Sequence, residues 1–173
     1  MHTERLVLRP FADEDIDRIA AIYADAEVMR WLGDGRPLSR AQAWRTMATF
    51  VGHWELRGYG QWAVVEKATG VLIGRAGLWN PEGWPGLEVG WVLDRARWGH
   101  GFATEAARAS VRWAFDELGA DRLISVIETR NLRSIRVAER IGERFERKTV
   151  IDVPAAGSVE VAIYGLERAS QMP

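Results

Sequence analysis

The chain has no cysteine. That absence excludes disulfides, thiol nucleophiles and cysteine-held metals. Histidine is sparse: His2, His53 and His100 lie far apart and show no zinc-binding spacing, so no metal is expected. Lysine is nearly absent, Lys67 and Lys148 being the only two among 23 basic residues. Long apolar runs are missing as well, so no membrane span is expected. Met1 to Pro10 holds Glu4, Arg5 and Arg9 and reads as neither a signal peptide nor an anchor. A soluble, cytoplasmic protein is the expectation. Nor does either sign of charge dominate. Against the basic residues stand 24 acidic ones, for a formal net charge of −1. No global field draws this chain to nucleic acid, so anion recognition has to be local.

What is present is ordinary for a folded domain, with 47% hydrophobic and 27% charged residues. A length of 173 residues suits a single domain, 1–173, with a sizeable core. No repeat, low-complexity tract or interdomain linker interrupts it. Arg5 to Arg9 alternates and reads as a strand ended by Pro10. Asp13-Glu14-Asp15 opens a helix over Ile16 to Met29, acidic residues suiting a helix N-terminus. Ser39 caps a second helix from Arg40 to about Leu56, with His53 near its end in a structural role. Gln61–Glu66 and Val71–Trp79 form a hairpin around Lys67-Ala68-Thr69-Gly70. Leu87 to Leu93 is the next strand. Ala103, Ala107, Val111, Phe115 and Leu118 mark one face of a helix. A β-branched strand, Arg122 to Ile127, follows. Asn131 begins a last helix to Ile141. Phe145–Val153 and Val159–Gly165 are the final strands, joined through Pro154-Ala155-Ala156-Gly157. Mixed strands and crossover helices imply an α/β (α+β) layered domain with one central mixed sheet.

The stretch richest in chemistry is Trp98-Gly99-His100-Gly101-Phe102-Ala103, between a strand and a helix. Glycines there allow close backbone approach to an anion. The first N–H groups of the helix lack intrahelical partners and carry partial positive charge. Together they make a phosphate-binding site, with Arg95, Arg97 and His100 as nearby side-chain charge. No Gly-Lys-Ser/Thr ends the loop, so it is not a P-loop. Thr104 stands where a dinucleotide fingerprint needs its third glycine.

This element order and these motifs resemble the GNAT superfamily of acyl-CoA-dependent N-acyltransferases, and more closely its RimJ/RimL-type branch. The resemblance covers nearly the whole chain, including Gly58 to Val64, Leu72 to Leu78, Glu88 to Leu93 and Trp98 to Ala106. It implies a mostly antiparallel central sheet flanked by helices, in which two parallel strands, Leu87–Leu93 and Arg122–Ile127, splay apart. It implies acetyl-CoA as cosubstrate, its pyrophosphate on Arg97, Trp98, Gly99, His100, Gly101, Phe102, Ala103 and Thr104. Trp98 stands where the general motif has Gln or Arg, which fits the RimJ/RimL-type branch. The pantetheine arm would pair with the backbone of Trp91, Val92 and Leu93, a backbone N–H near Val92 facing the thioester oxygen. Asn131 would bond the pantetheine amide and Ser134 would reach the sulfur. Ala138 occupies the place where many members carry a tyrosine that protonates the leaving thiolate.

The implied reaction is direct transfer of acetyl to a primary amine, of a protein N-terminus or of a small molecule. Glu88 is the first candidate base and Glu128 the second; Ser134 is the candidate acid. The alternative reading is a non-catalytic CoA-binding regulatory module, which has no reason to keep both Asn131 and Ser134. Trp31, Trp44, Trp84 and Tyr164 are candidates to wall an acceptor pocket. Trp84, between two prolines, is expected to be the exposed one, serving an acceptor or a homodimer interface.

Overall fold

The structure is a computed structural model and describes residues 1–153 and 157–168. Seven strands form one sheet: β1 (Leu6–Arg9), β2 (Gln61–Glu66), β3 (Leu72–Trp79), β4 (Glu88–Leu93), β5 (Arg122–Glu128), β6 (Arg144–Val153) and β7 (Gly157–Glu167). Their order is β1-β2-β3-β4-β5-β7-β6. Every neighbouring pair is antiparallel except β4 and β5. The α/β expectation holds, and so does its mostly antiparallel sheet. The expected link through Pro154, Ala155 and Ala156 lies outside the described residues.

Helices α1 (Ile16–Tyr23), α2 (Ala26–Met29) and α3 (Arg40–Arg57) cover one face. Ile16, Ile19, Ile22, Val28, Met29, Met47 and Phe50 pack there with Ala63, Leu72 and Val92 of the sheet. Each such buried aliphatic side chain contributes roughly 1.5–3 kcal/mol. The single helix expected over Ile16 to Met29 is in fact two. Ala24 and Asp25 separate them, and the Asp25 carboxylate accepts the Glu27 N–H at 2.9 Å, capping α2. Side-chain capping of this kind competes with helix continuation. Ser39 caps α3 as expected, in a reciprocal box with Gln42.

Helix α4 (Phe102–Asp116) covers the opposite face. Its alanines, Ala106, Ala107 and Ala114, are fully buried and bring its backbone close to the sheet, while Val111 and Phe115 fill the core beside them. Helix α5 (Leu132–Arg140) lies on that side too and buries Ala138 against Ile127, Ala162 and Tyr164.

The feature that positions the site is the junction of β4 and β5. They share one ladder position, Glu88 opposite Ile124, where the Ile124 N–H donates to the Leu87 carbonyl at 2.9 Å. One residue further, a side chain replaces the ladder: the Ser125 hydroxyl donates to the Val89 carbonyl at 2.8 Å. β5 meanwhile pairs with β7 along its whole length, Arg122 to Glu128. β4 follows β3 and β5 follows β7, so a crevice opens between them.

Candidate active site

Gly99 and Gly101 have φ of +82° and +81°, a left-handed region costly for other residues. Gly101 is the N-cap of α4 and supplies no side-chain cap, so the first-turn N–H groups are left for an outside acceptor. An unexpected brace holds this loop. The Arg5 guanidinium lies 4.4 Å from the Phe102 ring centroid and donates to the His100 carbonyl at 2.9 Å. Glu105 holds Arg5 through its Nε at 2.7 Å and its N–H at 2.8 Å. The hydrogen bonds and charge of Thr3 and Arg5 outweigh partial burial and keep the Glu105 carboxyl below its usual range. The glycine loop is thus braced by Arg5, just before the first strand and about a hundred residues away in sequence.

Arg97 and Arg95 are engaged elsewhere. Arg97 pairs with Glu66 at 3.1 Å and Arg95 with Asp25 at 2.9 Å. The buried Arg97 Nε has no hydrogen-bond partner, so the guanidinium keeps an unused donor. Trp98 donates its Nε1–H to the Leu93 carbonyl at 2.9 Å and carries the Arg133 guanidinium 4.6 Å from its ring centroid.

The crevice brings together Arg75, Glu88, Gly90, Trp91, Asn131 and Ser134, with Trp31 and Glu128 at its mouth. Glu88, Trp91, Asn131 and Ser134 are among the site residues that the family resemblance implies, Glu128 is the second candidate base and Trp31 a candidate pocket wall. Backbone parity sorts the donors of β4. The Leu87 and Val89 carbonyls face β5, and the Asp94 N–H donates to the Ile73 carbonyl of β3 at 2.8 Å. Alternation then turns the N–H groups of Trp91 and Leu93 into the crevice and the Val92 peptide toward β3. The donor expected near Val92 is therefore to be sought at its two neighbours. The side chains alternate as expected: Val92 packs under α1 and α3, while Trp91 and Leu93 pack on the α4 side.

Glu88 sits at the base of the crevice. Burial pushes its carboxyl up to about 7, against the Trp84 hydrogen bond, the Arg75 charge and the Val126 N–H, which all pull it down. A carboxyl poised near neutrality can accept a proton in that pH range. Arg75 is itself fixed, donating to Tyr23 Oη at 2.9 Å and Gln61 Oε1 at 2.8 Å. Across the crevice, Asn131 caps α5 by accepting the Ser134 N–H at 3.3 Å, and its Nδ2 donates to Ser134 Oγ at 3.1 Å. The hydroxyl so held as an acceptor keeps its own proton free to donate into the crevice.

Trp84 departs from expectation. It is half-buried, and its Nε1–H donates to Glu88 Oε2 at 2.7 Å. The exposed tryptophan is Trp44, 48% accessible on α3. Tyr164, on β7, packs against Ala138 of α5, and His53 is structural, bonded to the Tyr59 carbonyl and stacked on Trp79.

One group was missed altogether. Glu143, just after α5, is 3% exposed, and neither carboxyl oxygen has a hydrogen-bond partner. Burial pushes it up to about 8, reinforced by the charges of Glu88 and Glu146. Among the described residues no group of three or more His, Asp or Glu side chains is placed to hold a metal. No helix is long and apolar enough to cross a membrane.

A sheet parted between two parallel strands, beside a glycine-capped helix that offers free N–H groups, defines an acetyltransferase domain. The chain belongs to the GNAT acetyltransferases: the profile described as "Acetyltransferase (GNAT) domain" matches residues 5–144. It is 29% identical over 152 residues to the uncharacterized N-acetyltransferase YoaA of Bacillus subtilis, covering 87% of this chain and 85% of that one. It is 31% identical over 185 residues to an FsC-acetyl coenzyme A-N(2)-transacetylase of Aspergillus fumigatus, covering 97% and 76%. The crystal structure of an acetyltransferase from Agrobacterium tumefaciens superposes with a TM-score of 0.83 at 30% identity, covering 97% and 94%. The family uses acetyl-CoA as its cosubstrate, and the uncapped α4 N-terminus and parted strands fit that molecule's pyrophosphate and pantetheine.

Proposed function

We propose that this enzyme transfers the acetyl group of acetyl-CoA to a primary amine by direct attack, as in the RimJ/RimL-type branch its motifs resemble. The observation that carries this reading is Glu88, a carboxyl that lines the crevice, held by Trp84 and raised by burial to about 7. An amine arrives protonated and has to lose a proton before it attacks. Glu88 accepts that proton, directly or through water. The amine nitrogen then bonds to the thioester carbon. Cleft-facing N–H groups of β4 stabilise the oxyanion in a partly desolvated site. As the carbon–sulfur bond breaks, Ser134 passes its proton to the thiolate and regains one from the attacking nitrogen, directly or through water, which leaves the neutral amide, the free thiol and the hydroxyl restored. No cysteine is present to carry the acetyl group between two half-reactions.

The phosphate end is assigned to the loop Trp98–Thr104 and its uncapped first-turn N–H groups, with Arg97 beside it. Asn131 holds the pantetheine amide and orients Ser134. The test is a panel of primary amines with acetyl-CoA, following thiol release and acetylated product together. Equal appearance of both is expected for at least one amine class. Thiol release without acetylated amine, or none above background for any amine, contradicts the reading.

A further inference from the structure

A second, larger pocket of about 340 Å³ adjoins the crevice, and Trp31 and Glu128 line both. An amine that reaches Glu88 from this side leaves the rest of its molecule in that pocket. Its walls are the loop between α2 and α3, the end of β5 and Val159 of β7. Three arginines face it, Arg30, Arg36 and Arg130, against two carboxylates, Asp34 and Glu128.

Both carboxylates are engaged with their own loops. Glu128 accepts the Arg130 Nε–H at 2.9 Å and the Arg130 N–H at 3.1 Å. Asp34 accepts the Arg36 N–H at 3.1 Å. Arg30 has only a distant partner, Glu27 at 3.9 Å, and both side chains are more than half exposed, so that pair binds weakly. Among the described residues no carboxylate forms an ion pair with the Arg36 side chain. Arg30 and Arg130 flank Trp31, their guanidinium carbons 4.8 Å and 5.4 Å from its ring centroid, which orders the pocket's inner wall. This concentration of cationic donors is local, since the chain as a whole carries a formal charge of −1.

We propose that the acceptor is an amine bearing a carboxylate or phosphate group, which Arg30 and Arg36 hold while the amine enters the crevice. Guanidinium groups bind either oxyanion through paired, charge-assisted hydrogen bonds. A polycationic acceptor would instead bring like charge to Arg30 and Arg36, the two arginines without a close carboxylate partner. The inference rests on the amine-acetyltransfer reading and adds the class of acceptor.

The test compares matched amines in acetyl-CoA thiol release, with acetylated product confirmed by mass. One arm sets amino acids against their own amides; the other sets O-phosphoethanolamine against ethanolamine. The amide's amine is less basic than the acid's, so intrinsic reactivity near neutrality favours the amide, and a preference for the acid reports recognition. The anionic member of at least one arm is expected to have a kcat/KM higher by about tenfold. The arm that shows it names the oxyanion. Arg36→Gln and Arg30→Gln, both at exposed positions, should shrink that ratio by raising KM for the anionic member. Equal or better turnover of the neutral members overturns the inference alone, as does a ratio that neither variant alters. No transfer to any amine overturns the acetyltransfer reading, and this inference with it.

Discussion

Trp84 donates its indole N–H to the carboxylate of Glu88 at 2.7 Å. It is the one side-chain hydrogen bond that holds the candidate base in its charged form against burial. Trp84→Phe keeps the ring's bulk and removes the donor. The Glu88 pKa should then rise by roughly one pH unit, a charge-assisted hydrogen bond being lost. The rise of kcat/KM with pH should move to higher pH by that amount. Activity should therefore fall near neutrality and recover in base. A profile lowered evenly at all pH values would show that Trp84 shapes the pocket without tuning Glu88.

Gly101→Asp should sharply weaken binding of CoA measured by calorimetry. A Cβ at Gly101 finds Arg5 Nη2 at 3.5 Å, an ordinary contact, so space is available. The left-handed φ of +81° costs a side chain about 1–2 kcal/mol, and an N-cap carboxylate would compete with a phosphate for the first-turn N–H groups of α4. Gly101→Ala carries the same backbone strain without the charge and should bind better than Gly101→Asp. Equal affinities in the wild type and both variants would remove this loop from the cosubstrate site.

Ser134→Ala should lower kcat more than it raises KM, since its proton is needed as the thiolate leaves. Positioned proton transfer contributes about 10²–10⁴-fold. Asn131→Ala should first weaken acetyl-CoA binding and should also loosen the start of α5, whose cap it removes at a cost of about 1 kcal/mol. A full-rate Ser134→Ala enzyme would leave thiolate departure to water.

Much of this arrangement was legible because it is local. Gly99 and Gly101 declare themselves by their place between a strand and a helix, whereas Asn131 and Ser134 read as an ordinary helix start until the family resemblance gives them roles. Glu88 was legible as a charge on a central strand. What stayed hidden depends on contacts distant in sequence or on loop shape. Arg5 braces His100 and Glu105 across the fold, and nothing near Arg5 announces it. Trp84 looked exposed because prolines flank it, yet the loop folds back onto Glu88. Asp25 read as one more polar residue in a helix, where it is the cap that divides α1 from α2. Glu143 follows a helix-ending glycine and precedes Arg144, Glu146 and Arg147, a pattern indistinguishable from a solvated run of charge.

Glu143 has its own consequence for stability. Its folded-state pKa, about 8, lies above the ordinary carboxyl value of 4.5. The folded state therefore binds this proton more tightly than the unfolded chain does. Stability from this group is fully present below about pH 4.5 and is lost as pH rises toward about 8. Glu143→Gln keeps a neutral group of the same shape. Its stability should gain on that of the wild type between acid and mildly basic buffer by on the order of a few kcal/mol, read as a rise in its Tm relative to the wild type. A Tm difference independent of pH would mean that Glu143 is not buried as a proton-bearing acid.

The central claim is that Glu88 takes the proton from the acceptor amine. Comparing kcat/KM of the wild type and Glu88→Gln across pH, with one accepted amine, tests it most directly. Near pH 7 the variant should lose on the order of 10²-fold or more, the usual worth of a positioned base. Toward about pH 9.5 the loss should shrink, because free amine is then abundant without a base. Equal losses at both ends, or no loss at either, would contradict Glu88 as the base and make Glu128, at the crevice mouth, the next residue to test.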